Sequence, residues 1–179
     1  VTETRVLNNL ALIGFMGSGK SSVGRLLAEL LDFSFLDTDQ VIEEQTGKTI
    51  SQLFADHGEA VFRELERDVV AGLERIQRTV ISTGGGLPAY EPNLTSLKRH
   101  SLVVCLWASP EVIYERVRSH SHRPLLDHPD PLGRIHELLA LREPFYRQAD
   151  VLVSTEQRGL REVAQQVLHH FHTAQSAAK

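Results

Sequence analysis

Gly14-Phe15-Met16-Gly17-Ser18-Gly19-Lys20-Ser21 fits the spacing G-x-x-x-x-G-K-S/T without a gap. The chemistry of that spacing is phosphate binding. Glycines let a short loop wrap with its amides pointing inward, and those amides and the following helix N-terminus hold phosphate oxygens. Gly17, Ser18 and Gly19 form the turn, Lys20 reaches the β- and γ-phosphates, and the Ser21 hydroxyl is placed to ligate Mg²⁺, with Ser22 beside it. The motif points to a nucleoside triphosphate and leaves the reaction open.

A second group of chemically able residues is Asp37-Thr38-Asp39. Residues two apart on an extended segment point the same way, so both carboxylates can face one ligand. They could serve a magnesium ion and a substrate hydroxyl. Asp39 also precedes Gln40-Val41-Ile42 and could cap a helix there; one residue can do both.

The elements that must position these groups alternate. Leu10-Ala11-Leu12-Ile13 reads as a buried strand ending at Gly14, and Val23, Leu26, Leu27, Leu30 and Leu31 recur at helical spacing behind it. Phe33–Leu36 is a short second strand. Ile50–Ala55 and Val61–Ile76 read as helices separated near Gly58. Thr79–Ser82 is a third strand, closed by Gly84-Gly85-Gly86, and Ser101–Trp107 is a fourth, with a helix from about Pro110. Val151–Val153 is a fifth strand, and Leu160, Val163, Ala164, Val167, Leu168 and Phe171 share one face of a last helix. Strands alternating with helices imply a parallel sheet covered on both sides. Ser119–Gly133, rich in His, Pro and Asp, breaks that rhythm and reads as a mobile excursion. Thr173–Lys179 reads as a frayed tail.

Composition narrows the class. The 179 residues suit one domain, with 41 % hydrophobic and 23 % charged side chains. No apolar run is long enough to cross a bilayer, and Val1–Asn9 has no basic-then-apolar layout of a secretory signal. A net charge of −4 argues against nucleic acid or an anionic membrane as partner. The single cysteine, Cys105, sits in an apolar strand and reads as an inert core thiol, compatible with a reducing cytoplasm. Lysine occurs only at positions 20, 48, 98 and 179; the other basic residues are arginines, whose planar fork suits carboxylates and phosphates.

Further along come Phe62-Arg63-Glu64-Leu65-Glu66, Thr83-Gly84-Gly85-Gly86, Arg123-Pro124-Leu125-Leu126, and Arg142 within Leu141–Tyr146. Together with the phosphate loop, this ordered set resembles the shikimate kinase family from about Ala11 to Thr155. The resemblance implies a three-layer α/β/α P-loop kinase fold with a five-stranded parallel sheet. It implies a lid at about 119–133 and substrate-binding helices at about 39–76. It also implies transfer of the γ-phosphoryl group of ATP to shikimate with Mg²⁺, gluconate kinase being the alternative on the same fold. Asp37 matches the acid that holds magnesium through water, and Asp39 the acid that binds the ring hydroxyls. Arg63 and Arg142 match the pair that grips the carboxylate, and Gly84-Gly85-Gly86 the backbone facing substrate and γ-phosphate. Arg123 matches the lid arginine over the phosphates, while Arg116 and Arg158 fall where adenine-side arginines belong. A monomer in the cytoplasm is expected, or in a plastid had a transit peptide been removed. Glu66, three residues after Arg63, can brace its guanidinium.

Overall fold

The computed structural model describes residues 5, 7–118 and 128–177. Segment 119–127, which holds Arg123 and most of the expected lid, lies outside the described residues. In chain order the elements are β1 (Asn9–Ile13), α1 (Lys20–Leu31), β2 (Ser34–Asp37), α2 (Thr38–Thr46), α3 (Ile50–Leu73), β3 (Thr79–Ser82), α4 (Glu91–His100), β4 (Ser101–Trp107), α5 (Pro110–Val117), α6 (Pro131–Tyr146), β5 (Val151–Ser154) and α7 (Leu160–Ala177). A single 3₁₀ turn, Leu87–Ala89, follows the triple glycine.

The five strands form one sheet in the order β2-β3-β1-β4-β5, and every pairing is parallel. β1 is buried along its whole length, because helices cover both faces of its centre. On one face α1 and α7 pack through Val23, Leu27, Val163, Val167 and Phe171 against Leu10, Leu12 and Val104. On the other, α3 to α6 contribute Val70, Leu97, Ile113, Ile135 and Tyr146 against Ala11, Ile13 and Val103. The chain leaves β1 for β2 on one side and later returns to β4 on the other. The loops after β1 and β3 therefore open a crevice at the carboxyl edge, where such sheets bind ligands.

Several sequence expectations shift in detail. The two helical stretches expected around Gly58 are present and break there, at φ 77° and ψ 175°; they are numbered together as α3, and the second ends at Leu73 rather than Ile76. Residues 131–133 belong to α6 rather than to an excursion. Pro131 starts the helix, and the Asp130 carboxylate accepts from the Gly133 amide at 2.9 Å. The tail is not frayed up to Ala177: α7 reaches that residue, and Gln175 Nε2 donates to the Leu7 carbonyl at 3.2 Å. The cap of α2 is Asp37, whose carboxylate accepts from the Asp39 amide at 3.1 Å; Asp39 itself lies in the first turn.

Candidate active site

The phosphate loop spans Gly14 to Gly19 between β1 and α1. Gly14 has φ 138° and Gly19, the residue before α1, has φ 95°, conformations that favour glycine. Lys20 folds back onto the loop, and its Nζ donates to the carbonyls of Gly14 and Phe15, each at 2.9 Å. Ser18 is fully buried, and its Oγ has no hydrogen-bond partner among the described residues. Arg116 donates to the Gly17 carbonyl at 3.2 Å, to Thr155 Oγ1 at 2.9 Å and to the Thr155 carbonyl at 2.8 Å. It ties α5 to the loop and lines the cavity above it. Arg158 does not come to this cavity: it is exposed and donates to Gln166.

The register between β2 and β3 sets Asp37 beside Ser82. Ser21 Oγ donates to Asp37 Oδ2 at 2.9 Å and lies 3.4 Å from Ser82 Oγ. This pairing of a hydroxyl with a carboxylate is a hard-oxygen donor set that fits Mg²⁺, an ion that takes one or two protein ligands and fills the rest with water and phosphate. No group of three or more His, Cys, Asp or Glu side chains able to hold a metal occurs among the described residues. A cation here would therefore draw most of its ligands from the nucleotide and water.

Asp39 lies at the start of α2, across the crevice from the phosphate loop. Burial, then the neighbouring Asp37 charge, pushes its carboxyl up to about 6, with Lys20 pulling the other way. Its Oδ1 is buried and without a hydrogen-bond partner among the described residues. A buried acceptor left open in this way is costly unless a ligand meets it.

The triple glycine is held by side chains at its first and middle residues. The Gly84 amide donates to Thr38 Oγ1 at 3.0 Å, and Tyr146 Oη donates to the Gly85 carbonyl at 2.6 Å. Burial holds the Tyr146 phenol well above its usual range, so it stays a donor. The segment carries no side chains, which lets the arginines close on it. A β-carbon at Gly86 would stand 2.6 Å from Arg63 Nη2, and one at Gly85 would stand 3.5 Å from Arg142 Nη1.

Arg63 and Arg142 thus approach the same strip of backbone from α3 and α6. Arg63 Nη1 pairs with Glu66 Oε2 at 2.5 Å, and its Nε and Nη2 reach Glu59 Oε1 at 3.2 and 2.8 Å. Glu66 is 1 % exposed, and burial pushes its carboxyl up against the pull of Arg63. Glu59 faces solvent. The Arg142 guanidinium lies over the Phe15 ring, 5.3 Å from its centre. Both arginines keep unused N–H donors, since a guanidinium carries five.

Gly17, Gly19, Lys20, Ser21, Asp37, Asp39, Glu59, Arg63, Glu66, Ser82, Gly84–Gly86, Arg116 and Arg142 line one cavity of about 680 Å³, within the range of small-molecule sites. Ile50, Ser51, Phe54 and Phe62 form a less polar wall, and Arg134 with Leu138 lines it from α6. The sequence reading missed Arg134 and the roles of Thr38 and Tyr146. Arg134 carried a signal: positions 134, 138 and 142 lie on one face of a helix at four-residue spacing. Thr38 and Tyr146 act on backbone far away in sequence and leave no local pattern.

With this geometry in view, comparison with known proteins gives a consistent answer. A family model described as shikimate kinase matches residues 16–172. A shikimate kinase of Thermodesulfovibrio yellowstonii is 42 % identical over 165 residues, covering 92 % of this chain and 95 % of that protein. Among solved structures, shikimate kinase from Acinetobacter baumannii in complex with shikimate superposes with a TM-score of 0.89 at 39 % identity, covering 94 % of this chain and 95 % of that one. A gluconokinase from Sinorhizobium meliloti superposes with a TM-score of 0.63 at 19 % identity over 97 % of each chain, a likeness of fold alone.

Proposed function

The chain belongs to the shikimate kinase family, and from that premise we propose that it transfers the γ-phosphoryl group of ATP to the 3-hydroxyl of shikimate, giving shikimate 3-phosphate and ADP on the route to aromatic amino acids. The observation that carries this reading is the convergence of Arg63 and Arg142 on Gly84–Gly86, in the same cavity as the phosphate loop and Asp39. A cyclic hydroxy acid is the complement of that arrangement: a carboxylate for the guanidinium pair, and hydroxyls for the open carboxylate oxygen.

Each residue then has a role. The loop amides and Lys20 bind the β- and γ-phosphates, Lys20 exchanging its carbonyl contacts for phosphate oxygens. Ser21 and Asp37 would hold Mg²⁺, which neutralises charge on the phosphates when bound. Arg116 braces the loop at the nucleotide side. Glu66 keeps the Arg63 guanidinium oriented from the buried side, while the exposed Glu59 pair, worth only about 0.3–0.5 kcal/mol, yields to the substrate carboxylate. Asp39 accepts a hydrogen bond from the attacking hydroxyl and takes its proton late, as expected where positioning and electrostatics dominate. The Gly84–Gly86 backbone admits acceptor and γ-phosphate to close approach. Arg123, the residue that the resemblance assigns to the phosphates, lies outside the described residues. The buried Cys105 thiol, pushed up to about 12 by burial, is inert and suits a cytoplasmic enzyme.

The test is ADP formation with a panel of hydroxy acids. Shikimate stimulates magnesium-dependent ADP release and gluconate does not. Stimulation by gluconate alone, or ADP release indifferent to any acceptor, contradicts the reading.

A further inference from the structure

Helix α3 contains two glycines that obey different rules. Gly72 sits in ordinary helical backbone, whereas Gly58 has φ 77° and ψ 175°. That combination is a region only glycine occupies without strain. Crowding does not explain the residue choice, because a β-carbon at Gly58 would meet nothing within 4 Å. The backbone angle alone requires glycine.

The consequence is visible in two side chains. Phe54 and Phe62 are eight residues apart. In an unbroken helix they would stand roughly 12 Å apart along the axis, too far for their rings to meet. Here their ring centres are 4.8 Å apart. The break folds the outer half of α3, residues 50–57, back toward the inner half, and both rings line the cavity beside Arg63. The outer half is also fastened to α2. The Ile50 amide donates to Glu43 Oε1 at 2.8 Å and Leu53 packs with Ile42 in a small apolar cluster that includes Phe62, while Lys48, in the link between the two helices, pairs with Asp56 at 2.8 Å.

We propose that Gly58 is a positioning residue for the acceptor: its glycine-only backbone turns the outer part of α3 so that Ile50, Ser51 and Phe54 wall the cavity that Arg63 also lines. A residue that prefers the helical basin at position 58 straightens α3, separates Phe54 from Phe62 and opens that wall, while the phosphate loop on the far side of the crevice is untouched. This rests on the acceptor reading above.

The test is steady-state kinetics with both substrates varied, and melting temperature as a check on folding. In Gly58→Ala the shikimate KM rises at least tenfold and the ATP KM stays within twofold, while the protein still unfolds cooperatively, at a melting temperature lowered by the strain at position 58. Gly58→Asn, whose side chain is excluded from the same backbone region, shows a rise of the same kind. Gly72→Ala, in the same helix, leaves both KM values unchanged. A folded Gly58→Ala with a shikimate KM within twofold of the parent overturns the proposal, as does an equal loss for both substrates. Should Gly58→Ala fail to fold, an unchanged shikimate KM in Gly58→Asn overturns it. A parent enzyme that shikimate does not stimulate refutes the acceptor reading instead, so the two failures are distinguishable.

Discussion

The carboxylate of Asp39 occupies the space that a side chain on residue 84 would need: a β-carbon on Gly84 would stand 2.5 Å from Asp39 Oδ1 and 3.2 Å from Glu66 Oε1. Gly84 does not have the positive φ of the loop glycines, so its requirement for glycine is one of space rather than of backbone angle. Gly84→Ala should therefore displace Asp39 and disturb the Glu66–Arg63 pair without straining the chain. The expected outcome is a kcat at least tenfold lower with nearly unchanged ATP affinity, read by kinetics and nucleotide titration. Retained kcat would show that Asp39 is free to move without consequence.

Arg63 and Arg142 carry the acceptor assignment. Truncating either removes a charge-assisted contact worth about 1.5–3 kcal/mol. Arg63→Ala or Arg142→Ala is expected to weaken shikimate binding about tenfold or more while largely sparing ATP. Calorimetric titration of each ligand measures both, and an unchanged shikimate Kd would remove that arginine from the acceptor site.

Much of this was legible in the sequence, for physical reasons. The phosphate loop is local, with its strand, turn and helix contiguous from Asn9 to Leu31. The strand alternation is also local, and the Gly58 break appears as an interruption of helical spacing. The sequence reading assigns no element to Glu91–His100, since α4 is polar and Leu94 and Leu97 are its only buried apolar side chains. The supports of the site were not legible either. Thr38 meets Gly84 across 46 residues and Tyr146 meets Gly85 across 61. Those bonds depend on the parallel register and on the packing of α6, which no local pattern records. Arg158 falls at the expected place in the order of motifs, and its exposed side chain donates to Gln166 outside the cavity lining.

Asp39 gives a pH signature with two readouts. Its carboxyl is raised from 3.8 to about 6 in the fold, so its proton is bound more tightly there than in the unfolded chain. The stability this contributes is full below the unfolded value and is lost as pH rises through about 6. Asp39→Asn abolishes the loss, and at pH 8 it should stabilise the protein by up to about 3 kcal/mol. In the parent enzyme kcat/KM for shikimate should fall below about pH 6, where Asp39 protonates. In Asp39→Asn kcat drops and that acid limb disappears. A pH–rate profile unaltered by the substitution, with kcat retained, would exclude Asp39 from the proton's path.

Arg123, in the segment outside the described residues, is expected to act on the transferring phosphoryl group rather than on ground-state nucleotide. Arg123→Ala should lower kcat far more than it weakens ATP binding, since neutralising the equatorial oxygens matters most during transfer. Equal kcat in the variant and the parent would count against a lid contact.

The most direct test of phosphoryl transfer at this cavity is the phosphorus NMR spectrum of the enzyme's products from ATP, Mg²⁺ and shikimate. The expected spectrum holds ADP and, in equal amount, one phosphomonoester resonance coupled to the ring proton at carbon 3. A spectrum with inorganic phosphate as the only new species besides ADP, or with no turnover, would contradict it.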